Sequence, residues 1–323
     1  MKLMPIGIEG FKEMINKNYY YIDKTNLIAA ILNEKVVFCT RPRRFGKTLN
    51  MSMLYYFFSI KEKDNAYLFD YLNISKNKNA LKHQNNYPTI FISLKEMKNS
   101  TFDAQVSSFG DIIKNVILQN KELLESVYVD ESDVPLQSAY QNNYYDEMVD
   151  FLRSVFSSAL KTNDALEKGI LTGCPRISKE SIFTGLNNFK TYSLLDEMNE
   201  KYFDFNENED KQLLEYYNLI DYIDEVKEWY DGYLFGNIEI YNPWSTLMYV
   251  DSKLDNVTNQ PVSFGANTSG NDLVVSYIQN GSDELHEEFE QLIQGKSLEK
   301  YIKPELTYRE MDQFIAFFYL QVI

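Results

Sequence analysis

Two short runs in this 323-residue chain carry side chains that could do chemistry together. One is Gly46-Lys47-Thr48, reached through the apolar run Val36-Val37-Phe38-Cys39 and the basic turn from Thr40 to Phe45. The other is Asp130-Glu131, which closes the apolar run Val127-Tyr128-Val129. An apolar strand, a basic turn and a Gly-Lys-Thr that opens a helix form the order in which a phosphate-binding loop is built. Backbone N–H groups of the turn cradle phosphates and the helix N-terminus faces them. In that arrangement Lys47 reaches the terminal phosphates and Thr48 ligates Mg²⁺. At the second run, Asp130 is the candidate for the metal shell and Glu131 for the base that polarises an attacking water.

The elements around the tripeptide matter more than the tripeptide, because average composition yields Gly-Lys-Ser/Thr by chance in roughly one chain in six of this length. Upstream lies a β-branched and aromatic run suited to a buried strand. Downstream, Leu49, Met53 and Tyr56 recur at helical spacing. The rival reading is a plain strand, basic turn and helix. One letter departs from the usual G-x-x-x-x-G-K-[ST] pattern: Arg41 stands where the first glycine belongs. Glycine sits there for its backbone freedom, whereas Arg41-Pro42 favours extended chain. Arg41, Arg43 and Arg44 are candidates to neutralise phosphates, against the alternative that they are simply solvated.

The run from Thr40 to Leu54 resembles the phosphate loop of the bacterial AAA-ATPase-like family, which shares the missing first glycine. Further segments agree: Pro5 to Ile8, Tyr20 to Thr25, Leu171 to Gly173, Arg176 to Phe183, Trp229 to Tyr233, Tyr241 to Ser245 and Ala266 to Gly270. The resemblance implies an α/β P-loop NTPase, a mostly parallel sheet flanked by helices, followed by a mostly helical C-terminal region. Arg43, Arg44, Phe45, Gly46, Lys47, Thr48, Leu49 and Asp130 are then the expected nucleotide-binding set, with Thr48 and Asp130 on the metal. Lys47, Glu131 and Arg176 are the expected catalytic set, Arg176 as phosphate sensor or finger against a salt-bridge alternative. Thr172 is a further sensor candidate, because the strand that carries it belongs between the loop strand and the strand ending in Asp130. Members of this family often carry a C-terminal PD-(D/E)XK nuclease-like domain. No such constellation stands in this chain, which is expected to lack that domain and to be shortened before Asp130. Ser132 replaces the tyrosine of the family's Asp-Glu-Tyr-Asp.

A formal charge of −15 and a sequence pI near 4.7 disfavour long-range attraction to nucleic acid or an anionic membrane. No apolar run is long enough to span a bilayer, and the N-terminus lacks a secretory core, so the expectation is a cytoplasmic protein. The cysteines, Cys39 and Cys174, are expected to be reduced, and with His83 and His286 elsewhere they do not suggest a metal site.

Along the chain, Asp70 to Asn86 reads as an exposed polar connection and Thr89 to Leu94 as a buried strand. Helices are expected from Asp103 to Leu124 and from 144 to 162, and Gly169 to Gly173 reads as a core strand. An acid-rich stretch between Lys201 and Asp210 suggests a boundary. It divides residues 1–205, the ATPase-like unit, from residues 206–323, a lid or partner-docking region. There the expectation is one long helix from Asp210 to about Tyr230, a hairpin near Tyr233, and Asn242 or Ser245 capping another helix. The function these features imply is Mg²⁺-dependent ATP binding with ATP hydrolysis. The alternatives are a nucleotide-gated interaction module with little hydrolysis, acting on another protein through residues 206–323, and a small-molecule kinase. The missing guanine-reading motif tilts the base toward adenine.

Overall fold

The computed structural model describes residues 1–120, 127–130, 134–161, 163–173, 190–192, 202–235, 238–264 and 282–294. The N-terminal segment carries two short helices, α1 (Phe11–Asn16) and α2 (Asn26–Ile31), and leads into strand β1 (Val36–Thr40). Helix α3 (Lys47–Phe58) follows the basic turn. After it come α4 (Lys78–Leu81), β2 (Ile90–Ser93), α5 (Phe102–Gln119), β3 (Val127–Asp130), α6 (Val134–Gln141), α7 (Tyr145–Leu160), β4 (Gly169–Gly173) and β5 (Lys190–Tyr192).

These strands form a five-stranded sheet in the order β2-β3-β4-β1-β5, and every pairing in it is parallel. Parallel strands need crossovers that cover both faces, so they bury side chains on both sides. In β1 all five positions are buried. Val36 and Phe38 join one core with Ile90, Ile92, Leu171 and the inward face of α7. Val37 and Cys39 join the opposite core with Ile170, Met53, Leu54 and Phe57, beneath α1, α2 and α3. The apolar run that reads as a buried strand thus divides two helical layers. The strand β4 lies between β1 and β3, as the family resemblance implies.

Residues from Phe205 to Phe264 contribute a third core, while Tyr202 and Phe203 just before them belong to the second. The third comprises the short β6 (Phe205–Asn206), α8 (Glu207–Tyr216), α9 (Ile223–Tyr230), the hairpin β7 (Asp231–Phe235) and β8 (Ile238–Tyr241), and α10 (Pro243–Asp255). The strands form an antiparallel sheet in the order β6-β8-β7. Leu213, Leu214, Val226, Tyr241 and Tyr249 fill that core, and Met4, Tyr20 and Ile22 of the N-terminal segment pack against it. Farther on, α11 (Asp283–Ile293) contributes Leu285 to the first core. Among the described residues no helix is long and apolar enough to cross a membrane.

Two expectations of local structure are corrected. The polar stretch from Asp70 to Asn86 is not a bare connection but a string of short helical turns, with Ile74 and Ala80 fully buried. Its polar residues serve the backbone. Asn77 accepts from the Asn79 and Ala80 amides, and buried Asn85, at φ 54°, donates to the carbonyls of Tyr56 and Ser59. The single helix expected from Asp210 to Tyr230 is two, α8 and α9. Asn218 adopts φ 59°, which ends the first; the Leu219 amide then turns back to the Leu214 carbonyl at 2.8 Å. By contrast, Asn242 caps α10 as its sequence suggests: its side chain accepts from the Trp244 and Ser245 amides, with Pro243 in the first turn.

Candidate functional site

The chain leaves the sheet at Thr40, and the Arg41 amide still donates to the Gly173 carbonyl of β4 at 3.2 Å. The loop then turns through two left-handed residues, Arg44 (φ 70°) and Gly46 (φ 72°), which flank Phe45. Alternation of this kind can gather successive backbone N–H groups into an anion-binding concavity. Gly46 is the N-cap of α3, so the glycine of Gly-Lys-Thr is needed for its backbone, and a Cβ there would stand 3.5 Å from the Phe203 carbonyl oxygen. Arg41 is absent from the positive-φ residues. Its slot therefore makes no demand for glycine, which is why this loop does without the first one.

Helix α3 has no side-chain cap at its N-terminus and no acid in its first turn. A helix start of this kind has its first amides available to an anion. The Lys47 side chain is 5% exposed and curls back over the loop, its Nζ donating to the carbonyls of Arg41 (3.1 Å) and Pro42 (3.0 Å). Arg43 donates to the Gln137 amide oxygen on α6. The Arg44 guanidinium carbon lies 4.8 Å from the ring centroid of Trp244. Burial, and the charge of Arg43 beside it, press the Arg44 pKa below its ordinary value. Cations crowded against one another mark a place suited to an anion.

These groups line a cavity of about 550 Å³. Its floor is Arg43, Arg44, Gly46, Lys47, Thr48, Leu49 and Asn50; its walls come from Pro5, Gly7 to Glu9, Met14, Tyr20 to Ile22, Lys24 and Lys95; and Phe203, Phe205, Pro243, Trp244 and Leu247 complete it. Several separate stretches of sequence thus meet over the loop. The Phe45 side chain is fully buried, so what it offers a ligand is backbone. A second cavity, of about 420 Å³, shares Thr48 and Glu9 with the first and reaches Ser52, Tyr55, Lys61 and Asn120.

Asp130 ends β3 in register with Ser93 of β2, and β3 is separated from the loop strand only by β4. Both Thr48 and Asp130 therefore follow the carboxyl-terminal direction of parallel strands, the edge where open α/β sheets bind ligands. Thr172 is fully buried in β4, opposite Cys39. Glu131, Arg176 and Cys174 lie outside the described residues. Burial pushes the Cys39 thiol up to about 12, which keeps it protonated and unreactive. Among the described residues no cluster of three or more His, Cys, Asp or Glu could hold a metal by itself.

Two interactions at this site are not legible from motifs. Arg41, in the first-glycine slot, is 1% exposed and pairs with Asp204, also fully buried, at 3.2 Å between Nε and Oδ2. Lys24 on the cavity wall donates to both Glu209 carboxylate oxygens, at 2.7 and 2.8 Å. The acids between 201 and 210, which suggested a boundary, are in part counterions of the loop and its surroundings. Their only sequence signal is their density.

Sheet order, loop and helix together define a P-loop α/β protein. The chain is matched by the model of the AAA-ATPase-like family, described as predicted AAA-ATPase, over residues 5–126 and 104–183. These matches span more than half of the chain, and it belongs to that family. It is similar to an uncharacterized protein in the vnfD 5' region of Azotobacter chroococcum mcd 1, at 27% identity over 269 residues, 76% of this chain and 51% of the relative. The chain thus spans about half the length of that curated relative. Among solved structures, a DNA replication initiation factor aligns at 14% identity with a TM-score of 0.34, covering 79% of this chain and 65% of that one.

Proposed function

We propose that this protein binds ATP with Mg²⁺ on the loop of residues 41–48 and hydrolyses it. The observation that supports the reading best is the meeting of a left-handed basic loop, an uncapped helix start and a buried lysine on one cavity floor. In this reading the loop amides and Lys47 grip the phosphates, Arg43 and Arg44 offset their charge, and Leu49 and Asn50 continue the floor. Thr48 and Asp130 would hold Mg²⁺, which would screen phosphate charge and fix the phosphate geometry. Glu131 would orient and deprotonate the attacking water, with Arg176 as sensor. The work is positioning and charge stabilisation.

Residues 206–323 are proposed as a lid or partner-docking region that begins with α8 and contributes Trp244 to the cavity roof. That shared roof favours a second reading, a nucleotide-gated interaction module in which ligand binding rearranges this region and hydrolysis is slight. A cytoplasmic location, where ATP is abundant, suits both readings. The strongly acidic chain does not favour direct nucleic-acid binding.

The test is titration of a fluorescent ATP analogue into the protein and its Lys47→Ala variant, with and without Mg²⁺, while phosphate release is followed. Binding should weaken by about a hundredfold in the variant, since a buried charged donor to the phosphates is lost. Equal binding by both proteins would remove the loop from the site. Phosphate release without an acceptor supports the ATPase, binding without release supports the module, and a rate that needs an added acceptor would make the second cavity beside Thr48 a phosphoryl-acceptor site.

A further inference from the structure

A residue that takes the place of the loop's first glycine must send its side chain somewhere. The fold sends the Arg41 guanidinium inward. Its Nη1 donates to the Thr40 carbonyl at 2.8 Å, its Cζ lies 5.3 Å from the Phe203 ring centroid, and its Nε meets Asp204. A buried guanidinium without a carboxylate is strongly unfavourable, and the same holds for a buried carboxylate without its cation. Among the described residues, the charged groups acting on Asp204 are Arg41 from the loop, Lys24 from the N-terminal segment and Glu209 from α8.

The segment that carries Asp204 touches the loop at more than this point. The Asn50 side chain on α3 donates to the Tyr202 carbonyl at 2.8 Å, and the Phe203 carbonyl packs over Gly46. Residue 206 then closes the capping box of α8 with Glu209, whose carboxylate holds Lys24. Lys47 in turn bonds the Arg41 carbonyl. One short stretch therefore borders the first residue of the loop, its glycine and its helix.

We propose that Asp204 is the positioning residue of the phosphate loop: it neutralises Arg41 where the chain leaves β1 and so keeps residues 41–46 in the shape that presents Lys47 and Thr48. Loop geometry is thereby conditional on the docking of residues 202–206, the entry to the third core. The proposal rests on the nucleotide reading above but concerns a residue outside the expected binding set.

The test uses the full chain with Asp204→Asn, Asp204→Glu, Arg41→Gly and the double variant Arg41→Gly/Asp204→Asn. Amide hydrogen exchange of the ligand-free loop reads positioning without nucleotide, and titration with fluorescent Mg·ATP reads the consequence. Asp204→Asn should speed loop exchange and weaken binding by about tenfold each, Asp204→Glu should restore part of both, and the double variant should lie closer to wild type than the sum of its singles. Loop exchange and affinity within about twofold of wild type in Asp204→Asn, or additive singles, would overturn the positioning role and leave the nucleotide site standing. A wild-type chain that binds no ATP would instead remove the nucleotide reading, and with it any role for Asp204 in binding, whatever the loop exchange shows.

Discussion

Arg44 and Trp244 stack, guanidinium carbon to ring centroid at 4.8 Å, and so join the phosphate loop to the first turn of α10. The contact is a cation–π pair between a residue held at positive φ and a tryptophan fixed by the Asn242 cap and Pro243. It brings a side chain from the third core over the loop cavity. Among the described residues the buried indole Nε1 has no hydrogen-bond partner.

Trp244→Ala should therefore weaken binding of a fluorescent ATP analogue by about tenfold, the scale of one base–aromatic contact. Trp229, which is 51% exposed, is the control, and its replacement by alanine should leave affinity unchanged. Equal affinities for the two alanine variants would exclude Trp244 from the ligand roof.

A general base contributes about 10²- to 10⁴-fold to turnover and little to ground-state binding. Glu131→Gln is thus expected to retain the wild-type nucleotide affinity and to lose phosphate release by at least about a hundredfold. Unchanged turnover would move the base elsewhere. Loss of binding instead would point to a structural role at the end of β3.

The left-handed backbone of Arg44 costs about 1 kcal/mol relative to a glycine there. Comparing Arg44→Gly with Arg44→Ala isolates that strain, because both lose the stack on Trp244. The glycine variant should be the more stable by about 1 kcal/mol in urea unfolding. Identical midpoints would mean that the loop relaxes out of the left-handed region when the arginine is removed.

Burial raises the Asp204 pKa to about 6, with Arg41 and Lys24 opposing the shift and Glu209 adding to it. In the unfolded chain an aspartate titrates near about 4. Between these values the native state binds the extra proton, so the stability this group contributes is fully present below about pH 4 and is lost as pH rises through about 6. The loss is on the order of 3 kcal/mol. The Arg41 pair, however, forms only with the ionised carboxylate. Wild type minus Asp204→Asn should therefore show stability falling across this window while nucleotide affinity rises. The difference isolates Asp204 from groups such as the half-buried Glu207, which Lys211 and Lys227 hold down to about 2 and which acts in the opposite sense. A flat difference in both quantities would show that Asp204 does not titrate there.

The sequence by itself determined what short-range physics decides. A four-residue apolar run before a basic turn specified β1, and Gly46 specified a left-handed backbone at the start of its helix. Asn242-Pro243 specified the cap of α10. Each depends on residues within a few positions of one another, where backbone conformation and hydrogen-bonding reach are set locally. The tertiary structure alone decided where the Arg41 side chain, in the first-glycine slot, finds its counter-charge. That depends on a carboxylate at position 204, brought to Arg41 by the packing of the third core against the N-terminal segment. The burial of Asn85 and the stacking of Trp244 on Arg44 are of the same kind. A buried charge or amide needs a partner, but nothing in its own stretch of chain says where that partner will come from.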